Sequence, residues 1–223
     1  TPRDVSIISL QDQNDIFNSP GYFYTPYGVM NPYYILENYL NEYDAERFYG
    51  KFQVDYDFLK YFKFTYRMGL DTTTGQSNRG EPNLYALFYE GTPNGEGMGS
   101  NSPFYGKEGS YSQQITRRRE INQDLLLSFS MPINDFQINA LAGFNGNERK
   151  YSYLYSSVSK LTIPTWYNLS NSAATPTVEQ YLSLRRLMGV FGQVDLSWRN
   201  MLYVTLTARN DWSSTLPKEN RSF

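Results

Sequence analysis

The chain has 223 residues and carries 20 Lys and Arg against 22 Asp and Glu, a formal net charge of −2, and it contains neither His nor Cys. These absences exclude, within this chain, disulfide bonds, zinc sites built on thiolates, nucleophilic thiols and a Ser-His-Asp triad. The near-neutral charge argues against a general nucleic-acid binder, which needs a basic face to neutralise phosphates.

The first predicted hairpin covers residues 45–72. Even positions from 48 to 58 are apolar or Gly, whereas odd positions from 47 to 57 are mostly polar or charged. A helix would scatter these two sets around its circumference, so a period of two predicts an extended strand. The alternation resumes after a short turn, at residues 62–71, and two such strands with a tight connection predict an antiparallel hairpin.

Two further hairpins are predicted at residues 113–146 and 183–212 from the same alternation. The intervening connections are long and lie near residues 1–44, 73–112 and 147–182. Loops beyond about 15 residues are unusual in compact soluble domains. Short turns that alternate with long loops are typical of outer-membrane β-barrels, in which the turns are periplasmic and the long loops extracellular.

The sequence therefore predicts an all-β fold, namely a segment of a large antiparallel transmembrane β-barrel with about six strands in three hairpins. Six strands do not close a lipid-spanning barrel, because the smallest have about eight. We thus expect residues 1–223 to be part of a larger barrel domain, without its plug domain. A soluble antiparallel sheet also alternates, so a soluble all-β glycan-binding or adhesin module is the alternative.

Several short motifs occur in order along the chain. They are Asn31-Pro32-Tyr33-Tyr34, Arg47-Phe48-x-Gly50, Tyr56-Asp57-Phe58, Arg67-x-Gly69-x-Asp71, Phe191-Gly192-Gln193-Val194 and Leu206-Thr207-Ala208-Arg209-Asn210-Asp211-Trp212. In this order and spacing the chain resembles the SusC/RagA-type TonB-dependent transporters of the bacterial outer membrane. The long loops at 75–112 and 150–180 carry none of the resemblance.

The resemblance implies a 22-stranded, multi-pass outer-membrane barrel with an N-terminal plug. It also implies a SusD-like surface lipoprotein as a lid, and the TonB-ExbB-ExbD complex as the energy source, contacted through a region outside this chain. The expected cargo is a nutrient, most often an oligosaccharide and in some cases a peptide. Such transport breaks no bond of the cargo, so we expect no enzymatic activity, no cofactor and no metal.

Two sets of side chains are candidates for functional contacts. Aromatic loop residues suit stacking on sugar faces or contact with a lid, with packing inside the loop as the alternative; they are Tyr33, Tyr34, Trp166 and Tyr167. Polar strand residues would face the lumen or the plug, where they line a transport path or pair with one another; they are Lys51, Asp55, Lys63, Arg67, Asp71, Asp195, Arg209 and Asp211.

Arginines also gather near the predicted extracellular strand ends, among them Arg117 and Arg119. Those that point outward toward the outer-membrane lipid would bind lipopolysaccharide phosphates through charge-assisted hydrogen bonds. A solvated rim without a specific ligand is the alternative.

Overall fold

The computed structural model describes residues 6–15, 18, 30–87, 107–217, 219, 221 and 222. Within these residues a short 3₁₀-helix (Ser9–Gln11) and a helix α1 (Pro32–Asn38) precede six β-strands. The strands are β1 (Leu40–Phe58), β2 (Phe62–Glu81), β3 (Ser110–Ile133), β4 (Phe136–Ser159), β5 (Thr177–Trp198) and β6 (Leu202–Ser213). Among the described helices, none is long and apolar enough to cross a membrane.

The six strands form one sheet in which their spatial order is their order in the sequence. In the last hairpin, for example, β5 and β6 pair antiparallel with Trp198 opposite Leu202 and Leu187 opposite Ser213. Such a meander arises when each strand pairs with its neighbour in the chain. The β1–β2, β3–β4 and β5–β6 connections are tight turns, whereas β2–β3 and β4–β5 are long. The predicted all-β class and its antiparallel strands are confirmed.

The strands continue well past the predicted hairpins of residues 45–72, 113–146 and 183–212. Strand β2 runs on to Glu81, β4 runs on to Ser159, and β5 already begins at Thr177. The prediction stopped where the apolar alternation stops, but backbone hydrogen bonds continue the ladder without apolar side chains. Of the connections that remain, residues 88–106 and most of residues 1–29 lie outside the described part of the chain.

The chain divides into two compact units. The first, the loop unit, comprises Thr1–Asp44, Gln76–Ile115 and Leu154–Gln180. The second, the hairpin unit, comprises Ala45–Gly75, Thr116–Tyr153 and Tyr181–Phe223.

The loop unit is organised by buried asparagine side chains. Asn31 is fully buried, and its Oδ1 accepts a hydrogen bond from the Tyr33 amide at 2.9 Å, which caps the N-terminus of α1. Its Nδ2 donates to the carbonyls of Leu10 at 2.9 Å and Asn18 at 2.6 Å. One side chain thus satisfies polar groups of both helical segments, as buried backbone groups require. Asn83 acts similarly, since its Nδ2 donates to the Leu161 carbonyl at 2.7 Å.

The hairpin unit shows the predicted separation of its side chains onto two faces. On one side, apolar residues from neighbouring strands contact each other, as in the ring contacts of Phe62 with Phe58 at 5.6 Å and with Phe129 at 4.9 Å between centroids. A shallow cavity of about 490 Å³ on this side is lined by Leu127, Ala140, Val194 and Leu206 among others. We call this side the apolar face and the opposite side the polar face.

The three tight turns of the hairpin unit contain residues in the left-handed backbone region. Asn134 and Asn200 have φ values of +50° and +56°, and Asn is a residue type that adopts this region at low cost. Leu59 has a φ of +52°, although a leucine Cβ is crowded in this conformation, and its side chain is 79% exposed. The β1–β2 turn therefore stores backbone strain that no burial of Leu59 offsets.

Leu59→Gly should raise the thermal unfolding midpoint of the complete protein in detergent. Removing the Cβ relieves about 1–2 kcal/mol of left-handed strain. This gain exceeds the entropic cost of ordering a glycine on folding, which is about 0.5–1 kcal/mol. Lys60→Gly is the matched control, because Lys60 lies in the same turn without a positive φ, and it should lower the midpoint. Equal shifts in the two variants would contradict the strain at Leu59.

Candidate functional site

The polar face carries the residues for which the sequence predicts a position facing the lumen or the plug. Asp55 and Asp195 occupy matching positions in the first and third hairpins. Each carboxylate accepts hydrogen bonds from the glutamine two residues earlier and from the threonine ten residues later. The bonds are Gln53 to Asp55 (2.8 Å), Thr65 to Asp55 (2.5 Å), Gln193 to Asp195 (2.8 Å) and Thr205 to Asp195 (2.6 Å). The repeated Gln-Val-Asp triplet at 53–55 and 193–195 is a signal in the sequence that the alternation alone does not reveal.

The other predicted residues of this face form ion pairs, with one exception. The pairs are Arg47 with Asp71 (2.6 Å), Lys63 with Asp55 (3.6 Å), Arg67 with Asp124 (3.6 Å) and Arg209 with Asp211 (2.7 Å). Lys51 is exposed and has no ion pair among the described residues. Exposed pairs contribute only about 0–1 kcal/mol each, so their main effect is to hold the side chains in fixed positions.

A glycine on β4 lets an aromatic ring lie flat on the polar face. A Cβ at Gly143 would meet the Phe191 ring at 2.2 Å, so the ring occupies the space that a side chain would need. The guanidinium carbon of Arg209, which lies opposite Phe191 in the β5–β6 register, is 5.6 Å from the ring centroid. Gly143 thus positions Phe191, and Phe191 in turn supports the Arg209–Asp211 pair.

An open cavity of about 450 Å³, which we call the Arg118 cleft, lies in the hairpin unit. Its lining includes Arg47, Asp71, Arg118, Glu120, Arg149 and Tyr151. Arg149 pairs with Glu120 at 3.0 Å, and Arg47 pairs with Asp71. The guanidinium carbon of Arg118 lies 5.4 Å from the centroid of the Tyr151 ring.

Three tyrosines continue from this cleft across β4 and β5, and we call them the tyrosine trio. Tyr153 and Tyr181 are stacked, with centroids 5.6 Å apart and an interplanar angle of 21°. Tyr151 lies 6.1 Å from Tyr181 and 6.3 Å from Tyr153. The sequence does not predict this cluster, because all three tyrosines fall within the predicted loop 147–182. Their alternation with polar residues was the available signal for a longer strand β4.

Of the predicted aromatic loop residues, Tyr34 is buried. It is 7% exposed and packs with Leu84, Met30 and Tyr39. Burial, together with the nearby Tyr39 phenol that would repel a second negative charge, raises the pKa of Tyr34 to about 12. Tyr33 is half-buried on the same helix, with its amide in the N-cap. Little of Tyr34 is therefore accessible to a ligand.

Tyr167 is also part of a packed cluster. Its hydroxyl donates a hydrogen bond to the Asn38 carbonyl, and its ring stacks on Tyr111 at 6.3 Å. A Cβ at Gly80 would lie 2.4 Å from the Tyr167 ring, so this close approach requires glycine. Burial is the main cause that raises the pKa of Tyr167 to about 12, followed by the charges of nearby tyrosines and Glu81.

Trp166, in contrast, is 46% exposed. The turn that presents it is held by the buried side chain of Asn171, which donates to the carbonyls of Ile163 at 2.8 Å and Trp166 at 2.6 Å. The Oδ1 atom of Asn171 also accepts from the Ile163 amide at 2.9 Å. Of the four predicted loop aromatics, Trp166 is therefore the one that offers a large ring surface on a supported turn.

No model of a known protein family matches the chain. Among curated proteins it is similar to TonB-dependent receptor P3 of Formosa agariphila, with 22% identity over 197 residues. The matched region covers 86% of this chain and 18% of that protein.

Among solved structures the chain is similar to the RagAB peptide transporter, with a TM-score of 0.72 and 16% identity over 92% of this chain and 22% of that one. The RagAB peptide importer in its "closed-closed" state gives a TM-score of 0.72 and 15% identity over 87% of this chain and 20% of that one. Its "open-open" state gives a TM-score of 0.67 and 18% identity over 92% of this chain and 21% of that one. At these identities the structural likeness establishes the fold.

The resemblance to SusC/RagA-type TonB-dependent transporters that the sequence predicts is confirmed by these matches, as is the fold of a barrel segment. The chain spans about a fifth of the length of the proteins it matches. The matched proteins are named as transporters and a receptor, which agrees with the expectation of a non-enzymatic protein.

Asn171→Ala should loosen the turn that presents Trp166. The substitution leaves the Trp166 carbonyl and the Ile163 amide without the Asn171 side chain, at a cost of about 1–3 kcal/mol for each buried group that water does not reach. The Ile163 carbonyl keeps a bond of 3.3 Å from the Trp166 amide. Hydrogen exchange measured on the complete protein should become faster at residues 160–176. Asn168→Ala is the matched control, because Asn168 is exposed and its side chain bonds, among the described residues, only to Ser170. Unchanged protection in Asn171→Ala would contradict the role of this side chain.

Proposed function

We propose that the chain is part of the barrel wall of a TonB-energised importer in the bacterial outer membrane. Residues 1–223 would contribute six strands to its barrel domain, and the plug would lie elsewhere in the complete protein. The observation that carries this proposal is the pair of faces in the hairpin unit, one of them apolar and exposed and the other lined with charged and amide side chains.

The apolar face fits contact with lipid. Phe48 and Leu206 are each 64% exposed, and large side chains recur on this face in every strand. Exposed apolar patches beyond a few hundred Å² are rare on monomeric soluble proteins, and a sandwich would bury this face under a second sheet. The described residues form a single sheet. Strands of 12 to 24 residues also exceed the 9–11 residues that span a bilayer.

The polar face fits the interior of such a barrel. There, Lys51, Asp55, Lys63, Arg67 and Asp71 of the first hairpin, and Asp195, Arg209 and Asp211 of the third, would face the plug or the transport path. Their mutual ion pairs and hydrogen bonds would keep the wall ordered while the plug moves. In the loop unit, Trp166 and the half-exposed Tyr33 would contact the lid or the ligand, whereas Tyr34 and Tyr167 would hold the loops in place.

The likeness to RagAB supports a SusD-like surface lipoprotein as the lid, and the "closed-closed" and "open-open" states of that importer are compatible with a lid that opens. The name of the Formosa agariphila relative supports coupling to TonB-ExbB-ExbD. RagAB is described as a peptide importer, and SusC/RagA-type transporters more often carry oligosaccharides. The cargo is accordingly an oligosaccharide or a peptide.

Deleting the gene for the complete protein should abolish uptake of its labelled oligosaccharide or peptide cargo, and a restored gene should recover it. Collapsing the proton gradient should stop the same uptake, because TonB coupling depends on that gradient. The protein itself should fractionate with the outer membrane and require detergent. Recovery from the soluble fraction without detergent would instead favour the glycan-binding or adhesin module.

Charged residues border the apolar face in the middle of β3, β4 and β5. The sequence predicts Arg117 and Arg119 near strand ends, which is wrong because the strands extend beyond the apolar alternation. Glu148 accepts hydrogen bonds from Arg119 at 3.1 Å and from Arg186 at 2.7 Å. A cavity of about 240 Å³ brings Glu148 and Arg186 together with Phe144 and Met188. Two guanidinium groups that share one carboxylate retain a positive charge, which suits phosphate groups. We include lipopolysaccharide among the partners on this ground.

Replacing Arg117 and Arg119 together with Ala should lower the amount of lipopolysaccharide that copurifies with the complete protein, because two cations beside the apolar face are lost. Arg199→Ala is the matched control: Arg199 is also paired, with Asp135 at 2.8 Å, but it lies in the β5–β6 turn. If the double variant retained as much lipopolysaccharide as the parent protein, the contact between these arginines and lipopolysaccharide would be refuted.

A further inference from the structure

The Arg118 cleft holds a cation that its own carboxylates do not neutralise. Arg47 binds Asp71 through two hydrogen bonds of 3.0 and 2.6 Å, and Arg149 binds Glu120 at 3.0 Å. These pairs use both carboxylates of the lining. Arg118 forms no ion pair with any of the described residues. Of the other cations in the lining, Arg119 pairs with Glu148 outside it, and Lys150 forms no ion pair with the described residues. The cleft therefore retains an excess of positive charge and attracts an anion.

The contact that Arg118 does make orients its side chain and leaves its donors available. Its guanidinium carbon lies 5.4 Å from the Tyr151 centroid, and a cation over a ring is held by the ring's electron density. This contact uses no N–H group, so the planar fork of donors can still bind both oxygens of a carboxylate. A rigid support of this kind lowers the entropy cost of forming two hydrogen bonds to one group.

The tyrosine trio provides a second recognition element beside the cation. Tyr181 is 48% exposed, and the stacked Tyr153 and Tyr181 rings continue the surface that begins with Tyr151. Aromatic rings with a hydroxyl suit the flat face of a sugar or the plane of a peptide bond. The cation and the rings together fit a ligand whose carboxylate projects from such a flat group.

We propose that the Arg118 cleft binds a carboxylate of the cargo, so that the importer selects acidic oligosaccharides or acidic peptides over neutral ones. Uronic sugars and acidic amino-acid residues both present this group. The inference rests on the proposed function, since the polar face meets cargo only if it lines the interior of the barrel.

The test measures uptake of four labelled probes by cells that express the complete protein. The probes are trigalacturonate and neutral galactotriose, and a Glu-rich tetrapeptide and its Gln counterpart, so the two pairs distinguish a sugar from a peptide source of the carboxylate. Arg118→Gln removes the charge with little change in length, and Arg118→Lys keeps the charge without the planar fork. Lys60→Gln is the matched control, because Lys60 also lies over a ring, that of Tyr61 at 5.3 Å, but in the β1–β2 turn.

In the parent strain one acidic probe should enter at least about tenfold faster than its neutral counterpart. Arg118→Gln should lower this ratio about tenfold, toward equal uptake of the two probes, as expected for lost hydrogen bonds to a charged group, with uptake of the neutral probe unchanged. Arg118→Lys should give an intermediate ratio, and Lys60→Gln should match the parent strain.

Three results would overturn the inference: no preference for either acidic probe in the parent strain, an unchanged ratio in Arg118→Gln, or an equal loss of acidic and neutral uptake with a lower unfolding midpoint. The last result would assign Arg118 to a contact within the protein. A gene deletion distinguishes failure of the proposed function from failure of the carboxylate site. Unaltered uptake in the deletion strain refutes the proposed importer itself. Uptake that the deletion abolishes but Arg118→Gln leaves equally selective refutes the carboxylate site alone.

Discussion

The alternation of side chains along an extended strand is the constraint on which the rest of the structure depends. Because successive residues point to opposite sides, each strand of the hairpin unit supplies both an apolar and a polar face. A slip of one residue would exchange the two faces of a whole strand. The register that places Phe191 opposite Arg209 is therefore specified from both sides, by apolar contacts on one face and by charge and ring contacts on the other.

The polar face gains little stability from its ion pairs, since they are exposed. The main effect of these pairs is to hold the charged side chains in fixed positions. The two Gln-Val-Asp triplets hold their carboxylates with neutral donors, and Arg47 and Arg149 are matched by Asp71 and Glu120. Because these groups satisfy one another, Arg118 is distinguished from the arginines around it. A wall of this kind can present an unpaired guanidinium beside arginines whose charges are matched.

The loop unit is held together by a different principle. Its core consists of two small apolar clusters, one around Tyr34 and one around Tyr111, and buried asparagines supply hydrogen bonds to backbone groups that regular secondary structure would otherwise satisfy. Asn31 connects two helical segments in this way, and Asn171 fixes the turn that carries Trp166. Loops stabilised through polar backbone contacts can keep large rings at their surface, which suits recognition of a ligand or a lid.

The sequence by itself determined the class of the fold and the two faces of the hairpins, because alternation is a local property of consecutive residues. It placed Asp55 and Asp195 on the polar faces of their strands without any knowledge of strand pairing. Strand ends such as Ser159 were not predicted, because polar residues extend a hydrogen-bonded ladder without the apolar alternation that indicates a strand. Only the tertiary structure decided that Tyr34 and Tyr167 pack inside the loop unit and that Arg118, Tyr151 and Tyr181 share one surface. Burial and adjacency arise from contacts between residues that are distant in the chain, so no local pattern specifies them.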